Sequence, residues 1–418
     1  MEPVPEEQSG LTRLVERFRC TGPECVESCC AGWQITLDAP ALVTLRGLRD
    51  EQVDATLAKS VHWLKEDSPT MQAGYLKLQA NGACPFLRAD QLCGIQAVHG
   101  ELPMPLGCRV YPRVHHRVDG AMVSALSASC PEAARMLLTT DGIRPGGQQT
   151  HAREALESVL RELPSRGDAQ SLFWQLRQTH SAILHERALP FAERMKAMGR
   201  LAQWLDAEPD GDAALALRGF LHEWLGEHDK RNEAKRCSRM DEKPLGFLLA
   251  ATEAALRFAG GNARFRALTA RVQRGLKRGL ERGLEIGSED GMAGWQARCE
   301  RLRSENLEPF LRSQPQLEEN FVWNEMVCGV YPMRISASGE IAWCGAGTAF
   351  AQLAVPWTWW RLYLLGMAGD GGLDMESAID CAQSLSRAVF SRQAEFEKVC
   401  AGWARLATVV PLDELLSV

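Results

Sequence analysis

Apolar residues recur at helical spacing through most of the chain beyond residue 150. Between residues 151 and 163, for example, Ala155, Val159 and Leu160 fall close to one face of a helix. Four further stretches continue this pattern, namely residues 169–189, 190–205, 213–224 and 245–258, and Pro190 suits a first helical turn. The pattern therefore predicts a mostly helical region.

The alternation of apolar and polar residues that is typical of strands is rare in this sequence. It occurs in residues 330–335 and 340–343, on either side of a Ser-Ala-Ser-Gly turn, and this arrangement predicts a short hairpin. We therefore expect a mainly α fold, in which a cysteine-rich N-terminal module packs on a helical domain that carries one β-hairpin near residues 330–343.

The distribution of cysteines suggests where the domains divide. Eight of the fourteen cysteines lie between Cys20 and Cys130, and a turn-rich stretch follows at residues 139–147. We expect a cysteine-rich module over residues 1–139 and a mostly helical domain over residues 150–418, with a candidate division near residues 287–294.

Composition excludes some classes of function. The net charge of −6 and the pI near 5.9 argue against a general nucleic-acid-binding protein. The first ten residues are polar and acidic, unlike a signal peptide, and the longest apolar stretch, residues 353–369, is too short and too mixed for a membrane span. We expect a cytoplasmic protein with no nucleic-acid or membrane partner; the oligomeric state stays open.

A glycine–leucine pair repeats every four residues between Arg274 and Leu284. On a helix this spacing places three glycines in one row, which would allow close packing against a neighbouring backbone. The basic residues between them leave a partner-binding or anion-binding surface as the alternative.

The eight N-terminal cysteines predict a metal or cluster site, because in a reducing compartment clustered thiols bind metals more often than they form disulfides. Thiolates favour zinc, copper(I) or an iron–sulfur cluster. The candidate ligands are Cys20, Cys25, Cys29, Cys30, Cys84, Cys93, Cys108 and Cys130. Their spacings match neither a ferredoxin nor a zinc finger, so one four-iron cluster, two zinc sites or a mixed site including His99, His115 or His116 all stay open.

Several motifs in this module resemble the bacterial flagellin lysine-N-methylases. The matching segments are Phe18-Arg19-Cys20, Cys25, Cys29-Cys30-Ala31-Gly32-Trp33-Gln34-Ile35-Thr36-Leu37-Asp38, Cys84-Pro85-Phe86-Leu87, Leu92-Cys93, Cys108, Tyr111-Pro112-Arg113, His115-His116, Ser127 and Cys130-Pro131-Glu132. They cover residues 18–135, about a quarter of the chain. The cysteines alone are also similar to those of small zinc- or iron-chelating proteins, so the Gly-Trp-x-Ile-Thr-Leu-Asp continuation is the more specific signal.

The resemblance implies methyl transfer from S-adenosylmethionine to lysine side chains of flagellin. It also implies an iron–sulfur cluster, of the 4Fe-4S type, as the occupant of the cysteine site, with zinc as the alternative. Cys25, Cys29, Cys30 and Cys108 are the leading ligands, followed by Cys84, Cys93 and Cys130. The sequence has neither a strand–Gly-rich turn–helix motif for a nucleotide-like cofactor nor a Cys-x3-Cys-x2-Cys run, so the methyl-donor pocket is not located.

Lysine methylation needs a neutral amine, and free lysine has a pKa near 10.4. Tyr111 could accept a hydrogen bond from the amine and His115 could take its proton, with Asp38, His116 and Glu132 as further candidates. The main alternative is a non-enzymatic metal-chelating or iron–sulfur carrier protein with a helical interaction domain. A thiol redox enzyme is a third possibility, which the lack of a Cys-x-x-Cys pair disfavours.

The C-terminal third contains an echo of the cysteine module. Cys328-Gly329-Val330-Tyr331-Pro332 repeats the pattern of Cys108-Arg109-Val110-Tyr111-Pro112, and Cys344 follows. Coincidence is the main interpretation of this echo, and a second thiol site is the alternative. The nearby tryptophans 357, 359 and 360 are interpreted as core or interface residues, with an aromatic pocket for a sulfonium or methylated ammonium as the alternative.

Overall fold

A computed structural model describes residues 10–33, 35–64, 72–118, 121–141, 143, 169–207, 213–231, 242–258, 262–277, 289–335, 341–343 and 345–417. The helix expected at residues 151–163 and most of the turn-rich stretch before it lie outside the described residues. The same is true of Cys344 and of the later glycines in the glycine–leucine repeat.

The N-terminal part begins with helix α1 and continues with a small antiparallel sheet of strand order β1-β3-β2. Asp38 ends β1 and accepts a hydrogen bond from the Ala41 amide at 2.8 Å, so this carboxylate caps the helix that follows. The elements are α1 (Gly10–Arg17), β1 (Ile35–Asp38), α2 (Ala39–Gly47), α3 (Glu51–Ser60), β2 (Val61–Trp63), β3 (Gln72–Leu76), α4 (Gly94–His99) and α5 (Leu106–Val110).

A second antiparallel pair, β4 (Arg113–Val118) with β5 (Ala121–Leu126), precedes helix α6 (Pro131–Thr139). The sequence analysis does not predict either of these sheets. The strands are only three to six residues long, and in β4 the polar pair His115-His116 interrupts the expected alternation.

The rest of the described chain is helical apart from one hairpin, so the predicted mainly α fold class is confirmed. The helices are α7 (Ala169–Leu184), α8 (Phe191–Ala207), α9 (Ala213–Arg231), α10 (Glu242–Phe258), α11 (Ala263–Lys277), α12 (Glu289–Leu302), α13 (Glu308–Ser313), α14 (Gln316–Cys328), α15 (Ala346–Gly369), α16 (Met375–Leu385), α17 (Gln393–Leu406) and α18 (Leu412–Leu415). Short π-helical segments at Arg303–Leu307 and Ser386–Phe390 continue α12 and α16. The hairpin is also confirmed, because β6 (Met333–Ile335) pairs with β7 (Ile341–Trp343).

Helix α15 runs through the centre of the helical region, and nearly all of its residues from Leu353 to Met367 are buried. The three tryptophans 357, 359 and 360 have no exposed surface, and each indole donates a hydrogen bond inside the core. They are therefore core residues, which is one of the two positions that the sequence predicts for them. In the described part of the chain, no helix is both long enough and apolar enough to cross a membrane.

Two apolar cores hold these elements together. The smaller core contains residues from β1 to the loop before α5, including Leu37, Leu57 and Phe86. The larger core joins α1, β5 and α6 to the helices of the C-terminal region. The predicted division of the chain into residues 1–139 and 150–418 stays a prediction.

Candidate functional site

The cysteine-rich loops surround one cavity of about 230 Å³, which we call the cysteine cavity. Seven of the eight N-terminal cysteines line it, namely Cys20, Cys25, Cys29, Cys30, Cys84, Cys93 and Cys108. Trp33 and Tyr111 also line it, and their rings stack with centroids 6.1 Å apart. Cysteines that are distant in the sequence, and that the sequence analysis predicts to act together, therefore lie around one cavity.

Backbone hydrogen bonds bring the separate cysteine loops together. The Cys84 amide donates to the Cys30 carbonyl at 2.7 Å, and Ala31 and Ala83 form an isolated β-bridge. Gly32 has a φ of +79°, a conformation that glycine adopts more readily than other residues, and it turns the chain towards Trp33. Cys93 and Cys130 each stand at the start of a helix.

The thiols differ in how readily they ionise. A hydrogen bond from Cys30 lowers the pKa of Cys29 to about 7 against the effect of burial, and the positive charge of Arg387 acts in the same direction. Burial, together with the charge of neighbouring thiolates, raises the pKa of Cys84 to about 11 and that of Cys108 to about 12. Ionising several of these thiols together is thus opposed by burial and by their mutual repulsion.

The chemistry of these donors fits a thiolate-bound metal or cluster, because a bound cation would offset the repulsion that raises the thiol pKa values. No three His, Cys, Asp or Glu side chains within the described ranges are, however, arranged so that they could hold a metal ion together. All twelve described cysteines are free thiols. The structure thus supports a thiol-lined cavity without defining a preformed single-ion site.

Tyr111 lies at the end of α5, where its hydroxyl is 3.1 Å from the Ser129 Oγ atom. The Ser129 hydroxyl in turn lies 2.7 Å from that of Ser127. Burial raises the pKa of Tyr111, so its hydroxyl stays protonated at neutral pH and can accept a hydrogen bond but not supply a phenolate base.

The other candidate residues are not at the cavity. His115 is on β4, with Nδ1 2.9 Å from the Ser124 Oγ atom, and His116 Nε2 is 2.9 Å from the Cys328 carbonyl oxygen. Asp38 caps α2, and Glu132 pairs with Arg135 on one turn of α6. None of these four residues is among those that line the cavity.

The echo between the two Cys-x-Val-Tyr-Pro stretches extends to their structure. In both, a helix ends before the tyrosine, the Tyr–Pro bond is cis, and a hairpin follows. The second stretch does not reach the cysteine cavity. The Cys328 Sγ atom instead accepts a hydrogen bond from Asn324 Nδ2 at 3.6 Å and donates one to the Leu126 carbonyl oxygen at 3.7 Å. Burial raises the pKa of this thiol.

Residues 25–31, which include Cys25, Cys29 and Cys30, form a loop that we call the cysteine loop. Three residues of the helical region, which no motif in the sequence singles out, hold this loop. Arg387 and Gln383 contact Glu27, which lies between Cys25 and Cys29, and Asn262 contacts the same carboxylate. No local spacing signals such contacts, because they join residues more than 230 positions apart in the sequence.

Residues 177–405 match a family model described as the FliB lysine N-methylase C-terminal domain. The chain belongs to the FliB lysine N-methylase family. The match covers more than half of the chain, and it includes Arg387, Gln383 and Asn262, which contact the cysteine loop. The resemblance found in the N-terminal motifs is therefore confirmed by an independent part of the chain.

Sequence identity to individual proteins supports membership of this family. The chain is 31% identical over 161 residues to a flagellar biosynthetic protein FliU from Salmonella muenchen, a match that covers 38% of this chain and 92% of that protein. It is 33% identical over 126 residues to a lysine-N-methylase from Salmonella typhimurium, and 32% identical over 126 residues to one from Salmonella choleraesuis. Each of these two matches covers 30% of this chain and 31% of the relative, so the chain spans about a third of the length of the lysine-N-methylases it matches. No solved structure matches the chain.

Proposed function

We propose that this protein is a cytoplasmic lysine N-methyltransferase that transfers methyl groups from S-adenosylmethionine to lysine side chains of flagellin. The match of residues 177–405 to the FliB lysine N-methylase C-terminal domain is the observation that carries the proposal. The FliU relative is named a flagellar biosynthetic protein, and this name supports flagellin as the substrate.

The reaction sets clear demands on the site. The lysine must first lose a proton; its nitrogen then forms a bond to the methyl carbon as the carbon–sulfur bond of the sulfonium breaks, and S-adenosylhomocysteine leaves. Burial disfavours the charged amine and so lowers its pKa from near 10.4. Trp33 and Tyr111 give the cysteine cavity an aromatic wall, which suits a cationic amine or sulfonium before the methyl group moves.

Tyr111 is the proposed contact for the amine. Its hydroxyl is protonated and can give its hydrogen to Ser129 while its oxygen accepts a hydrogen bond from the lysine nitrogen. His115 stays a prediction as the proton acceptor, because it lies outside the cavity lining.

We also propose that the cysteine cavity holds an iron–sulfur cluster of the 4Fe-4S type, with zinc as the alternative. The proposed ligands are Cys25, Cys29, Cys30 and Cys108, with Cys84, Cys93 and Cys130 as the next candidates. All of these except Cys130 line the cavity, and soft thiolates suit either metal. A bound cluster would supply a redox-active or Lewis-acidic centre.

The test is a methylation assay with anaerobically purified protein, flagellin and S-adenosylmethionine. We expect methylated lysines in flagellin by peptide mass spectrometry, together with bound iron and sulfide in the protein. Cys29→Ala should lower both metal content and methylation, whereas Cys400→Ala, the same change at a buried cysteine outside the cavity, should lower neither. Unmodified flagellin despite a full metal complement would refute the methyltransferase proposal.

That last outcome would favour the second candidate function, a metal-chelating or iron–sulfur carrier protein. The observation behind it is that seven thiols line one cavity, an arrangement that suits metal binding and needs no methyl donor. Transfer of the metal from the loaded protein to a metal-free acceptor protein would then be the measurement to make.

A further inference from the structure

The loop that carries three of the cavity cysteines is held by side chains from the far end of the chain. Arg387 Nη2 donates to the carbonyl oxygens of Ser28 and Ala31, both at 2.7 Å, and Arg387 Nε lies 3.0 Å from Glu27 Oε1. One guanidinium thus contacts the loop at three points.

A second side chain supports the same carboxylate. Gln383 Nε2 donates to Glu27 Oε2 at 2.8 Å and to the Ser129 carbonyl at 3.0 Å, which places it between the cysteine loop and the residue before Cys130. Asn262 Nδ2 donates to Glu27 Oε1 at 3.2 Å. The Glu27 carboxylate therefore has partners from two separate parts of the helical region, namely Asn262 before α11 and the continuous helix that carries Gln383 and Arg387.

This contact differs from an ordinary surface ion pair. The Arg387 and Glu27 side chains are only 11% and 16% exposed, so solvent screens their attraction weakly. Two of the three groups that Arg387 contacts are backbone carbonyls. These hydrogen bonds fix the path of the loop backbone, in addition to pairing the charge of Glu27. Arg387 also lies in the π-helical segment Ser386–Phe390, a distortion that often occurs at functional sites.

We propose that Arg387, Gln383 and Glu27 form a latch that fixes the cysteine loop and so holds Cys29 and Cys30 on the wall of the cysteine cavity. In this role Arg387 is a positioning residue, since it acts through the loop. According to this proposal, the N-terminal residues supply the cysteines of the site, and the C-terminal region holds these cysteines in position. Its consequence for methyl transfer rests on the proposed function, whereas its effect on the loop does not.

The first readout is amide hydrogen exchange in the protein without metal. The Gly32 amide donates to the Gly82 carbonyl at 3.0 Å and the Cys84 amide donates to the Cys30 carbonyl, so both report on the position of the loop. Hydrogen bonds to a charged group are strong enough that Arg387→Met should speed exchange at these amides by about ten- to hundredfold. Exchange in α15 serves as the internal reference for global folding.

Arg387→Lys is the conservative variant. It keeps the charge, but one ammonium group lacks the planar fork that reaches three acceptors together, so we expect faster exchange than in the unaltered protein and slower exchange than in Arg387→Met. Glu27→Gln should also speed exchange, because it removes the charge that pairs with Arg387. Arg301→Met is the matched control, since Arg301 is exposed on α12, and it should leave the loop unchanged.

The second readout is the iron and sulfide bound after anaerobic reconstitution. We expect at least a severalfold loss of bound iron in Arg387→Met and none in Arg301→Met. Unchanged exchange and unchanged iron in Arg387→Met would overturn the latch. Faster exchange in the variant, combined with no methylation by the unaltered protein, would instead retain the latch and refute the proposed methyltransferase.

Discussion

The contact between helices α11 and α15 allows a sharp test of how the helical region is held together. A methyl group added at Gly275 would have its carbon 1.8 Å from the Gly366 carbonyl oxygen and 2.7 Å from the Asp370 nitrogen. Gly369 opposes Gly275 in the same way, since a methyl carbon there would lie 2.3 Å from the Gly275 carbonyl oxygen. All of these obstacles are backbone atoms, so no side chain can rotate away.

The expected cost of Gly275→Ala follows from this geometry. An ordinary contact needs about 3.4 Å, so the two backbones must separate by about 1.6 Å, the difference between 3.4 and 1.8 Å. Overpacking of this kind costs about 1–3 kcal/mol or more, and separating the helices also opens space along a buried interface. Alanine regains about 1 kcal/mol of helix propensity, so we expect a net loss of about 2 kcal/mol in the free energy of unfolding.

The assay is urea unfolding followed by circular dichroism, with Gly226→Ala as the matched control. Gly226 lies inside α9 and has nothing within 4 Å of an added methyl group, so this change should stabilise the protein slightly through helix propensity alone. Equal or greater stability of Gly275→Ala relative to Gly226→Ala would refute the close backbone packing. The sequence analysis expected such packing from the glycine–leucine repeat, and the described part of the repeat confirms it at Gly275.

Three further predictions concern the site and the buried charges. Tyr111→Phe should lower methyl transfer by about 10²-fold or more with iron content retained, because it removes only the proposed contact to the amine; equal transfer rates would exclude that role. Arg361→Met should cost about 3–5 kcal/mol in urea unfolding, since it leaves the buried Glu318 carboxylate without its cation, whereas Arg301→Met at an exposed site should cost little. Burial lowers the pKa of His180 from 6.5 to about 3, so between these values the unfolded chain binds a proton that the folded chain does not. The stability that His180 contributes is therefore complete above pH 6.5 and is lost as the pH falls, by up to about 1.4 kcal/mol per pH unit. In His180→Phe the free energy of unfolding should decrease less steeply between pH 6.5 and pH 3, by that same amount per pH unit.

The sequence predicts the amphipathic helices well, because a helix with one buried face leaves a periodic pattern. Helices α8 and α10 begin and end within a few residues of their expected bounds. Helix α15 carries no such pattern, since it is buried on nearly all sides, and its apolar composition gives no information on which neighbours surround it. The short strands of the N-terminal module were missed for the related reason that three to six residues carry little periodic signal.

The candidate site, like the fold, could be predicted only in part from the sequence. Thiol chemistry predicts that the cysteines act together, and seven of them line one cavity. The chemistry of a side chain does not give its position, however, so Tyr111 and His115 looked equivalent in the sequence although only Tyr111 lines the cavity. The contacts of Arg387 could not be predicted from one sequence. Arg387 binds Ser28 and Ala31 through their backbone carbonyls, and since every residue has this group, no residue type marks the contact.

These long-range contacts explain how two separately recognised parts of the chain depend on each other. The cysteines lie in the first third, whereas the family model matches residues 177–405. Gln383 donates a hydrogen bond to the Ser129 carbonyl beside Cys130, and the Cys328 carbonyl accepts one from His116 on β4. The helical region therefore contacts the N-terminal module both just before α6 and at the β4–β5 hairpin. An isolated N-terminal module would lose these contacts and would expose the apolar residues of α1, β5 and α6 that belong to the larger core. If the proposed latch holds, the helical region fixes the position of the cysteine loop, and changes at Arg387 or Gln383 should alter what the cavity binds although neither residue lines it.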